Sequence, residues 1–212
     1  MVRLIEQAFA SDVQALAFIE RYGALARPTE LYIPAGAQSL LKVFPVSCDI
    51  SATDCFETGK YSQLVPNDAY KSVCWFEQNG DAPTQIGGAK AKVATATQNM
   101  RFVCWLNLKK LGYDDCKGTT RFELAVIKAL SGSRSFTVDG ITGRIDVVST
   151  SVIQQDRARV FGRYSFAEAR NDAVFFWPYG FFAVDLVCKV SVPVGCVDEL
   201  TAQTEIECIT NW

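Results

Sequence analysis

The chain has no histidine in 212 residues. Histidine titrates near neutrality without help from its surroundings and is the commonest metal ligand. Its absence excludes Ser-His-Asp and Cys-His nucleophile activation, and removes most zinc and non-haem iron chemistry. Long apolar runs are also missing, and no segment approaches the roughly 18 residues of a membrane-spanning helix. The first 22 residues carry Glu6, Asp12 and Glu20 among their apolar positions and lack the pattern of a signal peptide. A protein made and kept in the cytoplasm, unless released by lysis, is expected. Clustered basic charge is absent as well: 21 Lys and Arg lie scattered among 23 Asp and Glu, for a net charge of −2. Neither a membrane surface nor a specific nucleic-acid sequence is therefore expected as a partner.

What is present is globular in character. With 49% hydrophobic and 21% charged residues, the chain lies far from the disordered regime. Its size allows one domain, 1–212, that buries roughly 70% of its unfolded surface. The eight cysteines are Cys48, Cys55, Cys74, Cys104, Cys116, Cys188, Cys196 and Cys208. None pairs at CxxC spacing, and the intervals match no common zinc ribbon or finger. Cys74, Cys104 and Cys188 fall within apolar strand patterns, where a free thiol behaves as a small hydrophobe. Buried reduced thiols are the preferred reading over disulfides or a metal site, and no cofactor is expected.

The pattern predicts an α+β fold: a mostly antiparallel, twisted sheet with one main packed helix, about 120–131, and an N-terminal helix. Residues 1–30 form the N-terminal helical segment, with the helix over 11–23 capped by Ser11 or Asp12, and Pro28 barring its continuation. Strands are expected at Leu31 to Pro34 and Ser39 to Val46, joined by a turn. Another is expected at Ala69 to Glu77, with Val73, Trp75 and Glu77 facing away from Cys74 and Phe76. Gln78 to Asp81 reads as a turn. Residues 82–99, rich in small residues and lysine, read as an exposed loop or arm, or as a strand pair that finds partners only on another chain. Arg101 to Leu108 alternates cleanly, with Phe102, Cys104, Leu106 and Leu108 on one face.

Thr120 and Glu123 have the spacing of a capping box, Phe122, Val126 and Leu130 lie on one helical stripe, and Gly132 supplies the stop. Strands follow at Phe136 to Val138 and at Gly143 to Ile153. In the latter, Ile145, Val147 and Ile153 share a face opposite Val148 and Val152. Ser165 to Glu168 repeats the capping pattern and predicts a short helix. The strongest strand puts Phe182, Val184, Leu186, Cys188, Val190 and Val192 on one face, so that one face is buried and the other partly wetted. A polar C-terminal tail covers 197–212, with a possible closing strand at Glu205 to Ile209.

Catalytic candidates are few. Asp114 and Asp115 form a carboxylate doublet of the kind that could run glycoside hydrolysis without histidine, but they follow Gly112 and Tyr113 in a sequence typical of a solvated turn. The glycine- and lysine-bearing run at 86–92 lacks the spacing of a phosphate-binding loop. The aromatic stretch from Phe175 to Phe182 is denser than one sheet face can absorb, and Pro178 and Gly180 imply a bend. Three readings stand: a core corner packed on the 120–131 helix, a subunit interface, or an aromatic platform for sugars.

The order of the last half is distinctive. It runs from the helix at 120–131 through strands across 136–153 to FGRYSFAE at 161–168, then WPYGFF at 177–182 and the long strand. It resembles small structural proteins of tailed bacteriophages, especially neck, ring and tail-terminator proteins of crAss-like and related phages. The resemblance implies a non-enzymatic virion protein, assembled in the host cytoplasm. It implies a homo-oligomeric ring that joins portal to tail, with other neck or tail proteins as partners. The interface residues expected on this reading are Phe175, Phe176, Trp177, Tyr179 and Phe181, with Lys90 and Lys92 on the arm. The rival expectations are a β-rich module binding sugar or peptide, and a hydrolase using Asp114 or Asp115.

Overall fold

The computed structural model describes residues 2–35, 38–47, 64–80, 84–85, 93–113, 118–138, 140–168 and 172–193. Among the described residues eight strands form one sheet: β1 (Arg21–Ala35), β2 (Gln38–Ser47), β3 (Ser72–Gln78), β4 (Thr84–Gln85), β5 (Val93–Asn107), β6 (Ser133–Val138), β7 (Ile141–Gln154) and β8 (Tyr179–Pro193). Their order is β2-β1-β3-β5-β8-β7-β6, with β4 beside β5. Among the described residues every pairing is antiparallel except that of β1 with β3. The fold is thus α+β with a mostly antiparallel open sheet, as the alternation predicted.

Two helices rather than one cover the first face. They are α1 (Val2–Gln14) and α2 (Thr119–Leu130), which are of similar length. They enclose Cys74, Phe76, Phe102, Cys104, Leu106, Phe182, Val184, Leu186 and Cys188. The first helix does not occupy 11–23. Ile5, Phe9 and Val13 recur every four residues, form the buried stripe and fix the helix earlier in the chain. By Arg21 the backbone is extended and runs parallel to β3, with Arg21 opposite Val73. The 1–30 segment is therefore half helix and half strand. Arg134 of β6 ties this layer together: it forms an ion pair with Asp12, donates to the Ala129 carbonyl and lies 4.5 Å over the Phe9 ring.

The capping box at α2 does not form. Gly118 stands at the N-cap with no side-chain bond. Glu123 is buried and accepts from the Gln154 side chain of β7, so its carboxylate does not reach back to Thr120. Ser165 is diverted in the same way. Its hydroxyl accepts from the Val43 backbone N–H at 2.8 Å, and the segment Ser165–Glu168 is a single 3₁₀ turn. The stop after α2 is as expected, with Gly132 at φ +92°.

The predicted face assignment in β7 fails at one residue. The register against β8 shifts between Val147 and Ser149, leaving Val148 as a bulge that is 63% exposed. One extra residue in a two-residue repeat flips everything beyond it. Ile145 and Val147 therefore pack on the first face, whereas Ile153 lies on the second. The expected arm at 82–99 is also corrected in part. Residues 93–99 are the first half of β5 and pair with 187–193 of β8 within the same chain, with buried Ala96 directly opposite buried Val190. Lys90 and Lys92 lie outside the described residues, as do Asp114, Asp115, the cysteines at 48, 55, 116, 196 and 208, and the tail at 197–212.

The second face carries Val73, Trp75, Val103, Trp105, Phe181 and Ala183. It is covered by α3 (Arg157–Phe161), by Tyr164 and by Phe175. Asp156 caps α3 by accepting from the Arg159 N–H. The β1–β2 hairpin continues past β3. Pro28 lies opposite Pro45, and because neither has an N–H, both nitrogens face away from the ladder. Two residues along, the Val43 N–H faces outward for the same reason, and this is the group that Ser165 receives.

Candidate assembly surface and the charge row beside it

The aromatic stretch separates into two populations. Phe175 and Phe181 turn inward and meet Phe161 with ring centroids 5.3 and 5.2 Å away. Arg157 lies 4.7 Å over the Phe175 ring. Phe176 and Trp177 turn outward and are 65% and 45% exposed. Between them and β8 the chain makes a turn in which Tyr179 N–H donates to the Phe176 carbonyl at 2.9 Å, with a cis bond between Trp177 and Pro178. The expected interface set therefore divides: the chain's own core takes Phe175 and Phe181, Tyr179 is half-buried, and Phe176 and Trp177 face solvent. The alternative of a corner packed on α2 holds for Phe182, which shares a cluster with Phe122, Val126 and Leu130, and is corrected for Phe175 and Phe181, which lie across the sheet from that helix. Gly180 does face it: a Cβ there would stand 2.6 Å from Thr119 Cγ2.

The corner is well anchored. Trp105 Nε1 donates to the Val174 carbonyl at 2.6 Å, and the Leu108 N–H donates to the Pro178 carbonyl at 2.9 Å. Trp105 and Tyr179 stack at 5.0 Å. Burial, and the Asp68 carboxylate that receives its hydroxyl, hold the Tyr179 phenol above its ordinary pKa. Asp68 also accepts from Asn107 Nδ2 at 2.7 Å. Each of these groups fastens the turn from beneath, so the two exposed rings are presented by a fixed base.

On the same face of the sheet, register aligns three charges across three neighbouring strands. Glu77 of β3 is opposite Arg101 of β5, which is opposite Asp185 of β8. Arg101 grips Asp185 with Nε at 2.6 Å and Nη2 at 3.0 Å, and its Nη1 donates to the Arg159 carbonyl at 2.8 Å. The row thereby fastens α3 to the sheet. Glu77 is completely buried. Trp75 Nε1 at 3.2 Å and the Tyr164 hydroxyl both donate to its Oε2. Arg163 Nη1 stands 3.6 Å from Oε1. Sequence reasoning saw Glu77, Arg101 and Asp185 only as strand residues and did not bring them together. The missed signal was the charge itself, in strands whose other inward positions are apolar.

Burial raises the Glu77 pKa above its usual 4.5, and the neighbouring arginines and donors only partly oppose this. The folded chain therefore retains a proton that the unfolded chain gives up. The stability this contributes is full below the usual value and is lost as pH rises through the folded one. Glu77→Gln fixes the uncharged form. Its stability relative to the wild type is expected to improve as pH rises from 4.5 toward neutrality. Urea unfolding at the two ends of that range checks this, and a difference independent of pH would contradict it.

Among the described residues, no three of His, Cys, Asp or Glu stand together as metal ligands would. Arg101 stands between the two carboxylates, gripping Asp185 at two points and lying 4.0 Å from Glu77. Neither a protein-family model nor a curated protein matches this chain.

Proposed function

We propose that this chain is a non-enzymatic structural protein of a phage virion, a ring subunit of the head–tail neck or tail that joins portal to tail. The observation that carries the proposal is the outward pair Phe176 and Trp177 on an anchored turn. Two adjacent exposed aromatics on a base tied down by Trp105, Leu108 and Tyr179 have the composition of an interface centre.

The sheet adds a second support. Its described ends, β2 and β6, differ in sequence and neighbours. A second copy would therefore meet two unlike surfaces, as a head-to-tail ring requires. Pro45, with its nitrogen turned outward, blunts β2 against strand addition. Side-chain contacts, not an extended ladder, would then carry the joint on that side.

Light scattering and electron microscopy of the full chain over rising concentration test the proposal, followed by microscopy of the native particle. Closed rings of defined mass are expected. A chain that stays monomeric throughout, and that is missing from the neck and tail of the particle, overturns it. Binding of a sugar or peptide at Trp177 by that monomer would support the rival binding module instead.

A further inference from the structure

We infer that Cys74 and Cys104 form a cross-strand disulfide when the chain folds under oxidising conditions, stapling β3 to β5. The two residues are directly opposite in the antiparallel ladder. Their pair is of the narrow kind. The Asn107 N–H donates to the Lys71 carbonyl at 2.8 Å, and the Asn79 N–H donates to the Asn99 carbonyl at 3.2 Å. Hydrogen-bonded and non-hydrogen-bonded pairs alternate along an unbroken register. Counting from either bond, Cys74 and Cys104 form a non-hydrogen-bonded pair, the type in which Cα atoms approach to about 4.5 Å, within the range a disulfide spans.

The sulfurs are already 3.0 Å apart, about 1 Å longer than a disulfide bond. Both residues are completely buried on the helix-covered face. The third described cysteine, Cys188, is opposite Gln98 and Val147, so it has no thiol across from it in either ladder. Among the described residues the geometry thus selects one partner for Cys74.

The position matters mechanically. β5 runs beside β8 along the whole of Val93–Asn107, but it meets β3 only over Ser72–Gln78. Among the described residues this short seam alone joins the hairpin side, β2-β1-β3, to the rest of the sheet. A bond between Cys74 and Cys104 would cross that seam near its middle.

The chemistry needs an electron acceptor, and oxidised glutathione supplies one. A cysteine thiolate attacks its disulfide, releasing one glutathione thiolate and leaving a mixed disulfide. The second cysteine thiolate then attacks the protein sulfur of that mixed disulfide and releases the second glutathione. Two protein thiols lose two protons and two electrons, and one glutathione disulfide becomes two thiols. Burial pushes the Cys104 thiol well above its ordinary pKa, and neither sulfur is open to solvent. The exchange therefore belongs to folding or to opening of the seam, not to the closed native state.

The test is refolding of the full chain from denaturant, once in a glutathione redox buffer and once with excess reductant. Free thiols are then alkylated under denaturing conditions, and the protein is digested with trypsin without reduction. Cleavage after Lys71, Lys90, Arg101 and Lys109 places Cys74 and Cys104 on separate peptides with no other cysteine. A linked pair of these two peptides is expected from the glutathione sample alone, with a melting temperature about 5 °C or more above the reduced form. Full alkylation of both residues in the glutathione sample, or linkage of Cys74 to any other cysteine, overturns the inference. The outcome does not depend on whether the chain forms rings.

Discussion

Replacing Phe176 and Trp177 together with aspartate is expected to abolish assembly while leaving the folded subunit intact. Both side chains project from the turn at 176–179, at 65% and 45% exposed. A central aromatic at an interface is worth about 2 kcal/mol or more, roughly thirtyfold in dissociation constant, and two of them compound toward a thousandfold. Two buried negative charges would add desolvation cost on top. Light scattering should therefore report monomers for the variant at concentrations where the wild type is closed. Thermal melting should report little change. Phe175→Ala would behave in the opposite manner, because that ring packs among Phe161, Phe166 and Phe181. Truncating such a ring costs about 3–5 kcal/mol of subunit stability. If the double aspartate variant still assembles as the wild type does, the proposed surface is wrong.

Arg101→Met is expected to cost about 2–3 kcal/mol in stability, between the scale of a surface ion pair and that of a buried one, because the Asp185 side chain keeps 24% of its surface exposed. The substitution keeps the volume and apolar stem but strands Asp185, removes one of the two cations near Glu77 and frees the Arg159 carbonyl. Arg101→Lys should fall between, since an ammonium keeps the charge but not the fork that grips both Asp185 oxygens. Urea unfolding of the three proteins gives the ranking. A loss below about 1 kcal/mol for the methionine variant, the scale of a surface ion pair, would mean that the charge row does not fasten the sheet.

Two polar groups show where local pattern and folded structure part. Thr120 with Glu123, and Ser165 with Glu168, both have the spacing of a helix start. Yet Glu123 is taken by Gln154, and the Ser165 hydroxyl by the Val43 backbone. A capping bond contributes about 1 kcal/mol. A buried donor or acceptor left without a partner costs about 1–3 kcal/mol. Where both compete for one side chain, the tertiary partner wins, and no window of a few residues contains that competition.

The early helix was, by contrast, legible. Ile5, Phe9 and Val13 form a stripe as regular as that of α2, and the charged residues beside it obscured a pattern that was present. Glu6 illustrates this, being buried within α1 and accepting from the Tyr22 hydroxyl. The exposed half of the candidate surface was legible only as a surplus. The sequence put more rings into 175–182 than one face can hold, but it did not say which would turn outward.

By itself the sequence determined the strands β3 and β8 and the second half of β5, the two faces each presents, the stop after α2, and the lack of any histidine-based chemistry. These follow from residue type and a two-residue repeat, which need nothing beyond neighbouring positions. Only the tertiary structure decided which aromatics the core absorbed, where β7 changes face, that Glu77, Arg101 and Asp185 form one row, and that Cys74 meets Cys104. Each of those depends on how distant strands are registered. Register is set by the summed packing of whole faces, a quantity that no local stretch of the chain encodes.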